Sequence, residues 1–317
     1  MGAFLVRRLA WAGLVLGAVG VLTFLLAYVA PGNPARSIVG RNASAETVEQ
    51  VRRLLGLDRP LLEQLVGYFG RVMQGDFGHS YKKDQDVLAL IVNHFPATAQ
   101  LAVAGLAISI LIGVPLGIRA ASRPGGWGDR LGTALTALLV AVPSFWLGYV
   151  VLYVFAFLPA VRLDIDLFPI GQYKPFDLRY LALPALTLGL TGAAYYARIT
   201  RTAMLDQMSH DYIRTARAKG APERRVVWRH ALRNAVPPVL TQVGLDLGFF
   251  LGGVVVVEQV FSWPGIGRLA VEAVPSEDMP VLMGTVLFAT LCIVIANLVV
   301  DVLYAFIDPR VRLAGGR

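Results

Sequence analysis

Side chains that could carry out chemistry are few in this chain of 317 residues, and they are far apart. The single cysteine, Cys292, lies inside an apolar run, and no Cys/His cluster has the spacing of a metal site. The patterns G-x-S-x-G of serine hydrolases and H-E-x-x-H of zinc proteases are both absent. The four histidines stand in separate segments: His79, His94, His210 and His230. An enzyme is therefore disfavoured, and no catalytic or metal-binding residue is predicted.

Nucleotide hydrolysis by a P-loop is excluded by the positions of the lysines. The P-loop pattern G-x-x-x-x-G-K-[ST] places a lysine after a glycine in a loop whose amides cradle phosphate. None of the four lysines stands in such a pattern: Lys82, Lys83, Lys174 and Lys219. If ATP drives this protein, another chain must bind it.

Three acids in or beside apolar runs are the remaining chemical candidates, because a charge within a membrane span is costly and is usually functional or paired. Asp246 lies in the middle of a run, and both a pathway-facing position and a structural hydrogen bond to a neighbouring helix fit it. Asp301 lies near the end of a run, and we expect it to pair with an arginine. Glu258 lies at the outer mouth of a run.

The segments that must position these residues are apolar helices. With 56% hydrophobic and only 16% charged residues, the composition is typical of a multispanning membrane protein. Six runs approach or exceed the roughly 20 residues that a helix needs to cross the hydrocarbon core. We therefore predict an all-α integral membrane protein with spans at Leu9–Ala30, Ala97–Ile118, Leu131–Leu158, Tyr180–Ala197, Ala235–Val257 and Val281–Ile307.

Lysine and arginine near the span ends predict the orientation. Residues 1–8, 119–130, 198–234 and 308–317 hold 17 basic and 5 acidic residues, whereas the opposite loops hold 12 and 13. The basic side is expected to be cytoplasmic, with both termini inside. The net charge of +8 is thus a topology signal, and a nucleic-acid partner is disfavoured. The apolar run after Arg7 and Arg8 is longer than the apolar region of a signal peptide, so we expect a retained span.

The loops predict three regions. Residues 1–30 hold the first span, and 97–317 hold the others with a cytoplasmic hairpin at 201–234. Between them, 31–96 has helical periodicity after Ser44 and again after Pro60, and it predicts a small external helical subdomain. A turn is expected at 75–78. On the same side, Phe261 and Trp263 follow Glu258, and they fit interfacial anchors better than a rigid plug over a pathway.

The hairpin is the most informative segment, because nine basic and three acidic residues lie between two apolar runs from Arg198 to Arg233. A short helix is predicted over 211–219, ended by Gly220 in the left-handed conformation. Pro222 fits the first position of a second helix. That helix has a less polar face at Val226, Val227, His230, Ala231 and Asn234. Small residues around a glycine turn fit a cleft in a soluble partner better than a membrane surface.

At this level of detail the chain resembles the B-type permease of bacterial dipeptide, oligopeptide and nickel ABC importers. The matching segments are Leu55–Pro60, Gly75–Ser80, Val142–Trp146, Asp211–Asn234, Glu258–Gly267 and Asp308–Arg312. The importer signature E-A-A-x-x-x-G, followed after nine residues by I-x-L-P, aligns with 214–220 and 230–233. Arg214 stands where the signature has glutamate, and Arg233 where it has proline; Ala216, Gly220 and Leu232 agree with it.

The resemblance implies a type I ABC importer fold and a set of partners: a second, homologous permease, two cytoplasmic ATPases that bind ATP and magnesium, and an external substrate-binding protein. No cofactor is implied for this chain. The residues expected to couple to the ATPase are Asp211, Arg214, Thr215, Ala216, Arg217, Lys219, Gly220 and Glu223, and those expected at the pathway or its gate are Asp246, Glu258, Phe261 and Trp263.

The expected function is that of a permease subunit in an ATP-driven importer of di- or oligopeptides in the bacterial inner membrane. Nickel chelates and glutathione are alternative cargoes, since relatives import them. A secondary transporter or channel is the rival class, and inverted repeats or several paired intramembrane charges, which would indicate it, are not evident.

Overall fold

A computed structural model describes residues 2–28, 34–39, 44–54 and 56–307. Leu55 and the segment Asp308–Arg312, both part of the resemblance, lie outside the described residues, as do Val29 and Ala30 of the first predicted span. The elements in chain order are α1 (Gly2–Tyr28), α2 (Pro34–Val39), α3 (Ala45–Leu54), α4 (Leu61–Met73), β1 (His79–Ser80), β2 (Gln85–Asp86), α5 (Val87–Ser122), α6 (Trp127–Ala141), α7 (Ser144–Leu152), α8 (Leu158–Leu163), α9 (Leu178–Met208), α10 (Asp211–Ala218), α11 (Glu223–Arg225), α12 (Leu232–Leu251), α13 (Val255–Val260), α14 (Ile266–Ala273) and α15 (Met279–Ile307).

The helical membrane fold is confirmed, but the described residues contain four helical stretches that are long and apolar enough to cross a membrane. These are Val6–Leu26, Val87–Ser122, Ser144–Leu163 and Met279–Val302. The fourth predicted span lies inside α9, and the fifth begins inside α12. The number of six spans stays a prediction.

Two of the predicted spans are not continuous helices, so their predicted bounds were wrong. The run 131–158 is interrupted, because α6 ends at Ala141 and α7 begins at Ser144 after Pro143, which has extended backbone. A residue before proline is disfavoured in the α conformation, so the helix ends there. The run 235–257 is also interrupted, because α12 ends at Leu251 and Gly253 adopts a φ of +115°. Hydropathy registers neither break, since the interrupting residues are themselves uncharged.

The chain divides into two compact units. The first contains residues 1–98, 251–255 and 264–317. In it α1 packs against α15, with Phe24, Tyr68, Met283 and Leu287 buried together. The expected pairing of Asp301 with an arginine is confirmed, since the Arg8 Nη2 lies 2.8 Å from its Oδ1.

The segment before α5 shows the predicted local structure. The hydroxyl of Ser44 accepts a hydrogen bond from the Thr47 amide at 3.1 Å and caps α3, and α4 begins directly after Pro60. The turn at 75–78 is also present, with the Asp76 carboxylate accepting from the Gly78 amide. A two-stranded hairpin of β1 and β2 follows, and the buried Ser80 hydroxyl in it donates to the Asp278 carboxylate. That this segment lies outside the membrane stays a prediction.

The second unit contains residues 99–250 and 256–263 and is built around α9. The second half of α5 lies very close to α9: a Cβ added at Gly113 would lie 2.5 Å from the carbonyl oxygen of Ala193. Ser109 of α5 donates to the Gly189 carbonyl at 3.2 Å. Small residues at such a contact let the two backbones approach closely. Van der Waals packing then holds the helices together, because there is no hydrophobic driving force between helices in apolar lipid.

Candidate functional site

The hairpin closes through a glycine turn of the kind that the sequence predicts. Gly220 has a φ of +77°, its amide donates to the Arg217 carbonyl at 2.9 Å, and the Ala221 amide donates to the Ala216 carbonyl at 3.2 Å. This pair of bonds is a Schellman motif, in which the left-handed residue strongly favours glycine. Pro222 does not occupy the first helical position as predicted: it is the residue before α11, with extended backbone, and its carbonyl accepts from the Arg225 amide.

One face of the hairpin is buried against the helices that it joins. Ile213 is fully buried in a cluster with Met204, Val226 and Ile118. Val227 and Ala231 are buried as predicted, but Asn234, assigned to the same face, is exposed. The π-helical segment 226–231 inserts an extra residue per turn and rotates the positions after it, which explains the misplacement of Asn234.

The opposite face holds the residues predicted to meet an ATPase. Ala216 is half-buried, whereas the other seven are exposed: Asp211, Arg214, Thr215, Arg217, Lys219, Gly220 and Glu223. The helical residues continue without interruption from Glu223 through the π-helical segment into α12, which ends at Leu251. The hairpin is thus joined to α12 by continuous helix, which contains Pro237 and Pro238.

An ion pair that was not predicted from the sequence joins α10 to α11 across the turn. The guanidinium of Arg217 donates to both carboxylate oxygens of Glu223, at 2.7 and 3.2 Å. These hydrogen bonds hold the pKa of Glu223 below its usual value. Asp211 lies 3.6 Å from the guanidinium of Arg214. Asp211 and Glu223 are thus each beside an arginine of the hairpin, and with Lys219 the segment 211–223 keeps a net positive charge.

A second ion pair fixes the end of α9 that leads into the hairpin. The Arg201 guanidinium donates to both oxygens of Asp129 at 2.6 and 2.9 Å, and the Gly125 amide donates to the same carboxylate. Asp129 is only 7% exposed, and the hydrogen bonds from Arg201 lower its pKa to about 2. A cavity of about 120 Å³, lined in part by Arg198 and Thr133, adjoins the pair. The only signal in the sequence was a single acid within an otherwise basic loop.

Asp246 is held by two neutral donors. The Tyr196 hydroxyl donates to its Oδ2 at 2.8 Å, and the Gln242 amide donates to its Oδ1 at 2.7 Å. The first bond joins α12 to α9, so the structural hydrogen bond considered from the sequence exists. Asp246 itself is half-buried.

The turn after α13 places two aromatic rings in the protein interior. The Trp263 amide donates to the Glu258 carbonyl at 2.8 Å, and Ser262 between them has a φ of +52°. Phe261 and Trp263 are buried, and the Trp263 ring meets the Tyr173 ring edge-on at 4.7 Å. The expectation that these aromatics are interfacial anchors was wrong, because an anchor exposes its ring to lipid headgroups. Glu258 is fully buried as well.

The described residues contain no group of three or more histidine, cysteine, aspartate or glutamate side chains that could hold a metal ion.

Comparison with known proteins gives consistent matches over the whole chain. Residues 113–313 match the profile of the family described as "Binding-protein-dependent transport system inner membrane component", and residues 1–102 match its N-terminal counterpart. The glutathione transport system permease protein GsiC of Salmonella typhimurium (strain LT2) is 43% identical over 298 residues, which is 93% of this chain and 94% of the relative. GsiC of Escherichia coli (strain K12) is 41% identical over 313 residues, or 98% of each.

Two solved structures with a similar fold are of ABC transporters. An inward-facing structure of the MetNI methionine ABC transporter matches with a TM-score of 0.56 at 18% identity, covering 70% of this chain and 97% of that one. An amino acid ABC transporter crystallised with histidines matches with a TM-score of 0.50 at 14% identity, covering 70% and 94%.

The Asp129–Arg201 pair leads to a prediction about stability. Asp129→Asn should lower the free energy of unfolding by about 1.5–3 kcal/mol, since a hydrogen-bonded charge is lost from a nearly buried position. The contribution of a carboxyl whose pKa is lowered from 3.8 to about 2 is complete above about pH 5 and is lost as the pH falls towards 2. Apparent melting temperatures in detergent should therefore differ between wild type and variant at pH 7 and converge near pH 2–3. Asp206→Asn, at an exposed acid of α9, the helix that carries Arg201, is the control, and an equal effect there would contradict the assignment.

Proposed function

Because the chain belongs to the family of binding-protein-dependent transport system inner membrane components, we propose that it imports peptide-like cargo together with a second permease, two ATPases and an external binding protein. It is a non-catalytic, multi-pass permease component of an ATP-driven importer. ATP and magnesium belong, in this proposal, to the ATPases. Both termini and the hairpin lie in the cytoplasm, which the distribution of lysine and arginine supports.

The observation that carries the mechanism is the unbroken helical path from the exposed hairpin into α12. An ATPase that moves as it binds nucleotide displaces the hairpin, and α12 is displaced with it because continuous helix joins the two, with Pro237 and Pro238 inside α12. The buried face around Ile213 and Met204 makes the hairpin one body with the ends of α9 and α12. Such a two-state displacement is the physical basis of alternating access.

The net positive surface of the hairpin also describes the partner. Arg214 stands where the family signature has glutamate, and it is 77% exposed. We infer that the ATPase surface that receives this hairpin is acidic, with Arg214 and Lys219 among the contacting residues. Arg217 balances the charge of Glu223, whose side chain is 55% exposed and has acceptor sites left for a partner.

The cargo is proposed to be short peptides, with glutathione as the tripeptide to test beside a dipeptide. Two relatives at 41–43% identity are permeases of glutathione transport systems, and they match this chain over nearly its whole length. Nickel chelates remain the alternative.

Uptake into proteoliposomes that contain this chain with its second permease, ATPases and binding protein tests the function. We expect accumulation of labelled glutathione or dipeptide that requires both ATP and the binding protein. If a binding protein loaded with a nickel chelate stimulates the ATPase activity and no peptide is taken up, the cargo is a nickel chelate. Uptake without ATP would contradict the importer and indicate a secondary transporter.

The glycine turn allows a sharp test of coupling. Gly220→Val should reduce ATP-dependent uptake by about ten-fold at equal membrane content, since the left-handed conformation costs other residues about 1–2 kcal/mol. A side chain at this position would meet no atom within 4 Å, so any effect comes from the backbone conformation. Gly220→Asn is the matched control, because asparagine tolerates this conformation and should retain most of the uptake. Equal loss in both variants would indicate a side-chain effect.

We propose that Asp246 borders the translocation pathway and that Glu258, Phe261 and Trp263 form its outer boundary. Asp246 is a half-buried carboxylate with only neutral hydrogen-bond partners among the described residues, and the other three form one rigid, buried turn.

Asp246→Asn keeps the size of the side chain and can still accept the Tyr196 hydrogen bond. We expect it to lower uptake at least five-fold while the thermal stability of the complex changes little. Trp263→Ala should lower uptake too, whereas Trp263→Phe should preserve it. If Asp246→Asn leaves both uptake and ATPase stimulation unchanged, the acid is purely structural.

A further inference from the structure

We propose that a groove between α1 and α15 binds one phospholipid whose headgroup carries a phosphate and a primary ammonium, as in phosphatidylethanolamine. The groove contains a cavity of about 150 Å³ within the first unit. Its walls are Ala12 and Val15 of α1 and Val294 and Leu298 of α15. Its polar end is formed by Arg8, Trp11, Asn297 and Asp301.

The depth of the groove in the bilayer follows from the two helices. They run antiparallel, with Arg8 against Asp301 at one end and Phe24 beside Met283 at the other. Sixteen residues separate Arg8 from Phe24, which is about 24 Å along a helix. The apolar stretches run from Val6 to Leu26 and from Met279 to Val302, so Arg8 and Asp301 both lie within two residues of an end. The ion pair therefore lies near the cytoplasmic boundary of the hydrocarbon core, where headgroups begin.

The groove is polar at one end and apolar at the other, as a lipid is from its headgroup to its acyl chains. From Arg8 to Val15, and likewise from Asp301 to Val294, is a rise of about 10 Å towards the membrane centre. Over that distance the lining passes from an ion pair to aliphatic side chains. Trp11, at 59% exposure, stands beside the polar end, which is the position that tryptophan favours at a membrane interface.

Charge complementarity decides which headgroup fits. Arg8 and Asp301 are 2.8 Å apart, and their side chains remain 45% and 23% exposed, so the groove presents a cation and an anion side by side. A guanidinium binds phosphate, and a carboxylate accepts hydrogen bonds from a primary ammonium. An anionic headgroup would be repelled by Asp301, and a choline group has no N–H to donate to it.

The size of the cavity agrees with this occupant. A cavity of about this volume holds a molecule of the size of benzene, which has six non-hydrogen atoms, so it admits ethanolamine with a phosphate oxygen. The acyl chains would then lie along α1, whose predicted span exposes large apolar side chains including Leu14 and Leu22.

Native mass spectrometry of the assembled transporter tests this. The delipidated complex in detergent is offered equal amounts of dioleoyl phosphatidylethanolamine, phosphatidylcholine and phosphatidylglycerol. We expect the ethanolamine lipid to be retained at least five-fold over the other two. Ala12→Phe fills the cavity without changing the ion pair and should abolish this preference. Ala18→Phe, at an exposed position of α1 outside the groove, is the matched control and should retain it.

Two further measurements separate the alternatives. Asp301→Asn removes the carboxylate that accepts from the ammonium and repels an anionic headgroup, and it should shift the preference from the ethanolamine lipid to phosphatidylglycerol. A photoreactive p-benzoylphenylalanine in place of Val15 should form an adduct with phospholipid in native membranes. An adduct with the second permease instead, or equal retention of all three lipids by the wild type, would overturn the proposal. Neither readout depends on cargo or uptake, so failure of the transport assay would leave this test intact.

Discussion

The hydrocarbon core of the membrane is the constraint on which this structure depends. Lipid tails neither accept nor donate hydrogen bonds, so the backbone groups must hydrogen-bond to one another within helices. Charged side chains must pair within the protein or lie outside the hydrocarbon core. Two acids of the apolar helices have such partners: Asp301 pairs with Arg8, and Asp246 accepts hydrogen bonds from Tyr196 and Gln242. The remaining charge is concentrated in the loops, above all in the hairpin between α9 and α12.

The hairpin combines a fixed shape with an exposed charged surface. A Schellman turn at Gly220 and the Arg217–Glu223 pair define its tip, and a buried cluster around Ile213 fastens it to the helix ends. The Asp129–Arg201 pair holds the end of α9 to the preceding loop. Continuous helix joins this element to α12, with Pro237 and Pro238 inside it. In the mechanism that we propose, a soluble partner bound to the hairpin displaces α12 through this connection.

The departure from the family signature changes the charge of the hairpin and not its backbone. The glycine that allows the turn is present, and so are the small residues that let α10 lie against its neighbours. Arginine replaces the acid of the signature, and the one acid near the tip is bound within the hairpin. The geometry of coupling can therefore be kept while the electrostatic match to the ATPase differs, since shape depends on backbone conformation and recognition depends on exposed charge.

The sequence by itself determined the membrane class, the helical composition and the hairpin with its turn at Gly220, because these depend on hydropathy and on local backbone preferences. It also placed Asp301 beside an unspecified arginine, since an intramembrane acid needs a partner. Only the tertiary structure decided which groups meet: Arg8 with Asp301, Arg201 with Asp129, and Tyr196 with Asp246. It also buried Phe261 and Trp263, which local pattern assigned to the interface. Contacts between residues 50 to 293 positions apart leave no periodic trace in a single sequence, because they arise from how helices pack.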